Sequence, residues 1–505
     1  MNFKTRKIRY RRKSILKNLL AKVGHIFKHN KTIEKAKQKT NFGLVISIII
    51  VFVLFLYGCS AVISRIGLIN VIGIFGEPLQ TDVYGNTNVL LLGTGGGDHD
   101  GADLTDTIIL ASIDQKNKLV PMLSIPRDFY VNIEELGDGA RINRIYELGK
   151  HNFDSATGIK LVKEAVEEIS GVDIHYYVRI DFQGFKDIVD SLGGVDIYID
   201  EEINDPYYPK EGTIQYETFY LPAGQQELDG DTALKYARSR KTTSDFDRSK
   251  RQQKLLFAIK NKAMTKNILL NPGKISDLYG AVNSHIETNL SIRHIIELAK
   301  ISQDFNQENL VSRVMTDDPT MCGGFLYVPE RDLFGGAYVL VPIGNDYSFI
   351  HQYVDLIFHY PELNKNPVQI QILNGTKTPG LAGEAKAMLQ RLCFDVIRYG
   401  NARNQEIDTT NLYFKSQPVG TEEEVPREPK APDALYFIKQ LIPGNITNEI
   451  PEIYFESQYV SDANLILELG ENYADSKPDD IFYLYYPTDD GADEETTDEE
   501  EATTE

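Results

Sequence analysis

NVLLLGTGGGDHDGADLTDTIILASIDQKNKLVPMLSIPRD, residues 88–128, is the stretch whose pattern decides the fold. Three apolar runs, 88–92, 107–113 and 119–125, follow one another at short intervals. Each is too short for a globular helix, and each is apolar almost throughout, which is how a strand covered on both faces reads. The first ends in a glycine-dense loop, Gly93-Thr94-Gly95-Gly96-Gly97. Downstream, helical patterns at 157–170, 181–192, 229–238 and 246–265 alternate with the strand-like YYVRI at 176–180 and VDIYI at 195–199. That alternation predicts an α/β fold, with helices covering a mainly central sheet.

Residues 266–346 continue the mixed pattern. The stretch 347–367, ending in PELNKNP, reads as a linker. VQIQILNGT at 368–376 then leads through Pro379-Gly380 into an amphipathic stretch at 381–392, predicting a second, smaller α/β domain over 368–470. Residues 488–505 carry ten acids and no base, a composition that cannot bury apolar area and predicts disorder.

The formal charge of −20 over 505 residues conceals an asymmetry. Residues 1–40 hold fourteen Lys and Arg against one acid, Glu34, so the remainder is strongly acidic and unlike a general nucleic-acid binder. An uncharged run from Thr40 to Ser64 follows, with the apolar centre LVISIIIVFVLFLYG at 44–58. Some twenty apolar residues span about 30 Å of hydrocarbon. The expectation is a basic cytoplasmic segment (1–41), a single transmembrane helix (42–64) and an extracytoplasmic bulk, oriented by the basic flank. A cleaved signal or a lipid-modified Cys59 is the rival reading, and the long basic leader counts against both. Cys322 and Cys393 could pair outside the cell, although two isolated thiols are more often buried and inert.

Two constellations bear on chemistry. Ser124-Ile125-Pro126-Arg127-Asp128 ends a buried strand with an Arg–Asp pair, where open α/β sheets place ligand-binding side chains and where a plain salt bridge would look the same. Tyr236-Ala237-Arg238-Ser239-Arg240 precedes Asp245, Arg248, Arg251 and Gln252. On a helix from about Asp245, positions 248 and 252 share the stripe that continues through Leu255 and Ile259, so Arg248 and Gln252 extend the core-facing side toward a pocket. Lys250, Lys254 and Lys260 fall elsewhere and read as solvated. Arginines gathered in an acidic protein call for an anion between them, and a pyrophosphate fits; an Arg–Asp structural network through Asp229, Asp245 and Asp247 is the competing explanation. The loop from His99 to Thr107 offers hard oxygen ligands beside the glycines, or merely a solvated acidic turn, and no Gly-Lys-Ser/Thr follows to make a Walker loop.

Together NVLLLG (88–93), TDTIILASI (105–113), LSIPRD (123–128), RINRIY (141–146), GVDIHYYVRIDFQGFKDIVDSLGGVDI (171–197) and ALKYARSR with DFDRSKRQQ (233–253) resemble the LytR-CpsA-Psr family. The core motifs lie within 85–265 and the likeness continues to 346. VQIQILNGTKTPGLAGEAKAMLQRL, 368–392, resembles the accessory domain often appended to that family. The resemblance implies an outward-facing α-β-α sandwich with a long apolar cleft for a polyprenyl chain and an arginine-lined mouth for its pyrophosphate. Arg127, Arg238, Arg240, Arg248 and Gln252 match its phosphate-binding positions, Asp245 the acidic member of that set, and Asp106 one of two metal-side aspartates.

Two positions depart from the family pattern: Gly95 stands at the usual first aspartate, and Leu104 at the usual arginine before Ser/Thr-Asp-Thr. Asp98, Asp100 or Asp103 could replace the missing carboxylate, with Asp98 the first choice. The implied activity is transfer of a phosphoglycan from a polyprenyl-pyrophosphate carrier to an envelope acceptor such as peptidoglycan, with Mg²⁺ or Mn²⁺ on the phosphates. Arg127, Arg238, Arg240 and Asp245 would carry catalysis. The alternatives are a pyrophosphatase on the same lipid and a non-catalytic binding or regulatory protein.

Overall fold

The computed structural model describes residues 77–476, apart from 98–100, 211–212, 214, 240–244, 267, 269–270, 366, 416–431 and 457–460. The expected basic segment 1–41, transmembrane helix 42–64 and acidic tail 488–505 lie outside the described residues, as do Asp98 and Arg240. Among the described residues no helix is long and apolar enough to cross a membrane.

The three apolar runs are adjacent strands of a six-stranded mixed sheet. Its order is Ile286–Thr288, Tyr176–Asp181, Thr87–Thr94, Thr107–Ile113, Val120–Ser124, Leu310–Val314. Strand Thr87–Thr94 runs antiparallel to Thr107–Ile113 and parallel to Tyr176–Asp181. Alternation explains the continuous apolar reading. Leu90, Leu92, Ile108, Leu110 and Leu123 join one core with Leu161, Val162 and Ala165 of helix Ser155–Ser170 and Tyr353, Val354 and Ile357 of helix Ser348–His359. On the opposite face Leu91, Ile109, Ala111 and Met122 meet Leu256 of helix Asp245–Thr265, while Val89 and Val178 meet Ile295 and Leu298 of helix Ile292–Ile301. The result is the α-β-α sandwich expected.

VDIYI is a strand, Val195–Ile199, but outside that sheet: it pairs with Gly224–Leu228. A second hairpin, Ile203–Pro209 with Tyr216–Leu221, carries a register shift between Asp205 and Tyr208. Both hairpins pack Ile197, Ile199, Tyr208, Phe219 and Leu221 against Val189, Ala233, Tyr236 and Leu255, a separate core beneath helices Phe182–Ser191, Gly230–Arg238 and Asp245–Thr265.

The 347–367 stretch is not a linker. Residues Ser348–His359 form a helix that buries Ile350, Tyr353, Val354, Leu356, Ile357 and Phe358, and Pro361–Lys365 adds a short turn of helix. Pro361 ends the first helix because it lacks an N–H and disfavours a helical residue before it. Beyond it a five-stranded sheet runs in the order Asp395–Asn401, Gln369–Asn374, Leu465–Leu469, Asn411–Phe414, Asn445–Thr447. Cys322 and Cys393 form a disulfide with Cα atoms 4.7 Å apart, so the reading of them as inert thiols is overturned. Beside it Arg391, almost wholly buried, donates from Nε to the Pro319 carbonyl at 3.0 Å, and the Gly323 amide donates to the Arg391 carbonyl at 2.8 Å.

Candidate functional site

The cleft opens where strands Thr87–Thr94, Val120–Ser124 and Tyr176–Asp181 reach their C-terminal ends. In open α/β sheets, side chains from different strands converge on a ligand there. A cavity of about 340 Å³ is lined by Gly93, Asp106, Thr107, Arg127, Phe182, Asp205, Tyr207, Tyr208, Pro209, Tyr216, Arg238, Arg248 and Gln252. Five residues singled out in the sequence, Asp106, Arg127, Arg238, Arg248 and Gln252, thus share one wall system, although they come from four separate segments. Asp245 is the first residue of helix Asp245–Thr265.

The glycine-dense loop makes room for this edge. Gly96 has φ +70°, and a Cβ there would stand 2.5 Å from the Asp181 Cβ. A side chain would collide with the residue that caps the next helix, for Asp181 accepts from the Gly184 amide at 2.9 Å and so starts Phe182–Ser191. Asp181 also bonds His285 Nδ1, 2.9 Å away. The Gly95 carbonyl accepts from the Phe182 amide at 3.4 Å, which places Phe182 on the cleft wall.

Each polar wall residue is held by identifiable neighbours. Arg127 Nη1 lies 3.2 Å from Asp106 Oδ1 and its Nε 3.4 Å from Asp128, which also pairs with Arg141 at 3.1 Å. Asn143 Nδ2 donates to the same Asp106 oxygen at 3.1 Å. Arg238, last residue of its helix, lays its guanidinium 4.2 Å from the Phe182 ring centroid and 5.9 Å from that of Tyr208, and donates to the Tyr208 hydroxyl at 3.4 Å. The aromatic faces favour the cation and fix its plane. Arg248 is buried, and Gln252 donates to the Ala237 carbonyl at 3.4 Å.

Arg251, three residues from Arg248, does different work. Its Nε donates to the Tyr236 carbonyl at 3.1 Å, and Nη2 donates to the Ser239 carbonyl. It satisfies the end of the helix that carries Arg238, where backbone carbonyls otherwise lack partners. Burial lowers its pKa and pushes the Tyr236 phenol up to about 12. Ser239 Oγ donates to Asp205 Oδ2 at 2.9 Å and ties this segment to the second hairpin.

That hairpin is what sequence reasoning missed. Asp205, Tyr207, Tyr208, Pro209 and Tyr216 all line the cleft. The signal available was an aromatic-rich pair of short strands, obscured by two prolines and the register shift. The lysines also divide: Lys254 pairs with Asp200 at 2.8 Å, whereas Lys260 is partly buried, donates to the Phe305 carbonyl and has its pKa lowered by desolvation, so it is not simply solvated.

Farther along helix Asp245–Thr265, Leu256 and Phe257 join Ile113, Val120, Met122, Leu298 and Phe305 around an apolar cavity of about 230 Å³. On the helix between the two cavities stands Gln253, donating to Ser124 Oγ at 2.9 Å and to the Arg313 carbonyl at 3.3 Å. The single long cleft implied by resemblance is therefore resolved into a polar and an apolar cavity under one helix.

For metal, Asp106 offers one carboxylate beside the cleft, and among the described residues no group of three or more His, Cys, Asp or Glu gathers to hold an ion. Asp106, with Asp205 on the same cavity, suits contact with a divalent ion held mainly by phosphate oxygens and water.

The described residues form an α/β sandwich with three arginines lining a cleft at its strand ends. The chain belongs to the LytR-CpsA-Psr family, whose pattern it matches over residues 75–333; residues 367–452 match the family described as LytR cell envelope-related transcriptional attenuator. It is 30% identical over 234 residues to polyisoprenyl-teichoic acid–peptidoglycan teichoic acid transferase TagV of Bacillus subtilis, covering 46% of this chain and 54% of that one. It is 24% identical over 389 residues to cell wall biosynthesis protein LcpA of Corynebacterium glutamicum, covering 69% of each. The crystal structure of B. subtilis TagV is 25% identical, with a TM-score of 0.42 over 54% of this chain and 97% of that one.

Proposed function

We propose that this chain transfers a phosphoglycan from a polyprenyl-pyrophosphate carrier to a hydroxyl of an envelope acceptor, with peptidoglycan as that acceptor. The observation that carries the reading is the convergence of Arg127, Arg238, Arg248 and Gln252 with Asp106 on one cavity. Guanidinium groups brought together in an acidic protein repel one another unless anionic oxygens lie between them, and a pyrophosphate supplies those oxygens. The likeness to TagV, named as a teichoic acid transferase, and to LcpA, named as a cell wall biosynthesis protein, supports the reading.

In this mechanism the acceptor oxygen forms a bond to the glycan-side phosphorus. The bond from that phosphorus to the bridging oxygen breaks, and polyprenyl phosphate leaves with the electron pair. Asp106 takes the hydroxyl proton or orients the hydroxyl, and the arginines stabilise charge that grows on the phosphoryl oxygens. Arg240 and Asp245 join this set by family correspondence. When bound, Mg²⁺ or Mn²⁺ would neutralise phosphate charge, with Asp106 as its contact and Asp98 as a second. The apolar cavity beside Leu256 and Phe257 suits part of the isoprenoid chain, and residues 42–64 anchor the protein in the membrane, with the N-terminus cytoplasmic and the bulk outside.

The test incubates the purified full chain with polyprenyl-pyrophosphate-linked glycan, with and without peptidoglycan. Release of polyprenyl phosphate only when acceptor is present, with glycan phosphate joined to it, is the expected result. Release at the same rate without acceptor would make the protein a hydrolase. Absence of any release, with lipid binding intact, would make it a binding protein.

A further inference from the structure

Tyr207 and Tyr216 stand on the lip of the same cavity whose floor holds Arg238, Arg248 and Gln252. They are 55% and 65% exposed, whereas their hairpin neighbours Tyr208, Phe219 and Leu221 are buried in the core beneath. The inward residues lock the ribbon, so the outward rings are held on a fixed frame. The two rings meet edge to face, centroids 6.1 Å apart at 82°. A tyrosine ring fixed on a strand offers a broad apolar face and loses little rotamer freedom on binding.

From this geometry we infer that Tyr207 and Tyr216 form a sugar-binding platform, stacking on the pyranose ring attached directly to the pyrophosphate. The inference rests on the transfer reading above. The arginines and the tyrosines line the same cavity, so a group bonded to a phosphate held by the arginines comes within reach of these rings. A pyranose is the matching chemistry: its C–H face packs on an aromatic ring, and its rim of hydroxyls meets polar groups.

The experiment compares two probes on the full chain: a polyprenyl pyrophosphate bearing one N-acetylhexosamine, and the same polyprenyl pyrophosphate without sugar. In Tyr207→Ala/Tyr216→Ala, Kd for the glycosylated lipid should rise about tenfold, a loss of about 1.4 kcal/mol, while Kd for the bare lipid stays within about twofold. The Tyr207→Phe/Tyr216→Phe variant keeps the rings and should bind the glycosylated lipid as the unaltered chain does. Equal weakening of both lipids, or weakening of neither, would overturn the platform while leaving the transfer reading in place. If the unaltered chain bound neither lipid, the transfer reading would itself fall and the platform with it.

Discussion

Arg127 Nη1 lies 3.2 Å from Asp106 Oδ1, an oxygen that also accepts from Asn143. Both partners of the ion pair are partly exposed, with side chains 25% and 40% accessible. A pair that wet adds little to stability. Its value lies in aiming a cation and a carboxylate into one cleft. Arg127→Ala should slow transfer by about a hundredfold, as loss of one charge-stabilising donor does, with a urea midpoint close to that of the unaltered chain. Loss of folding without a kinetic change in the surviving protein would reassign Arg127 to structure.

Arg251 should behave in the opposite way. Its guanidinium satisfies the carbonyls of Tyr236 and Ser239 in a buried setting. Arg251→Ala leaves buried acceptors without partners and should lower stability by about 3 kcal/mol, read from urea denaturation. Lysine cannot reproduce the two-armed geometry, so Arg251→Lys should recover only part. Arg238→Ala, which removes a cation over two ring faces, should cost about 1 kcal/mol and far more in activity.

Alkaline pH should unfold the protein in a defined window. Burial holds the phenols of Tyr236 and Tyr347 up at about 12, against an ordinary value of 10. The unfolded chain ionises first, so their contribution is fully present below pH 10 and is lost as pH rises from 10 through 12. Denaturation midpoints taken across that interval should fall, and Tyr236→Phe should make the fall shallower.

The Cys322–Cys393 bridge closes a loop over a sequence separation of 71. A loop of that size restricts the unfolded chain by about 4 kcal/mol in the chain-entropy treatment. Reductant, or Cys322→Ala/Cys393→Ala, should lower the urea midpoint accordingly. An unchanged midpoint would show that the buried Arg391, through the Pro319 carbonyl and the Gly323 amide, holds that junction without the bridge.

The central sheet was legible because strands buried on both faces leave uninterrupted apolar runs, as at Leu90–Leu92 and Ile108–Leu110. Helix Asp245–Thr265 was legible through the stripe of Arg248, Gln252, Leu255 and Ile259. What periodicity could not separate was Arg248 from Arg251: both are buried on one helix, and only tertiary neighbours send one to the cleft and the other to backbone carbonyls. The Ile203–Leu221 ribbon escaped because a register shift breaks period-two alternation. The helix Ser348–His359 is masked in the sequence by the prolines at 361 and 367, which mark linkers and helix ends alike. The pairing of Cys322 with Cys393 depends on a 4.7 Å approach that spacing does not reveal.

Leu90, Tyr353, Leu389 and Leu467 belong to one continuous apolar cluster that reaches from the six-stranded sheet into the five-stranded one, and Tyr360 meets Phe437 across the same junction at 6.0 Å. Calorimetry should accordingly record one endotherm for residues 77–476, with no separate melting of the C-terminal part. A truncation placed at residue 366 would not liberate a module; it would strip the cover from hydrocarbon side chains on both fragments and leave each prone to clump.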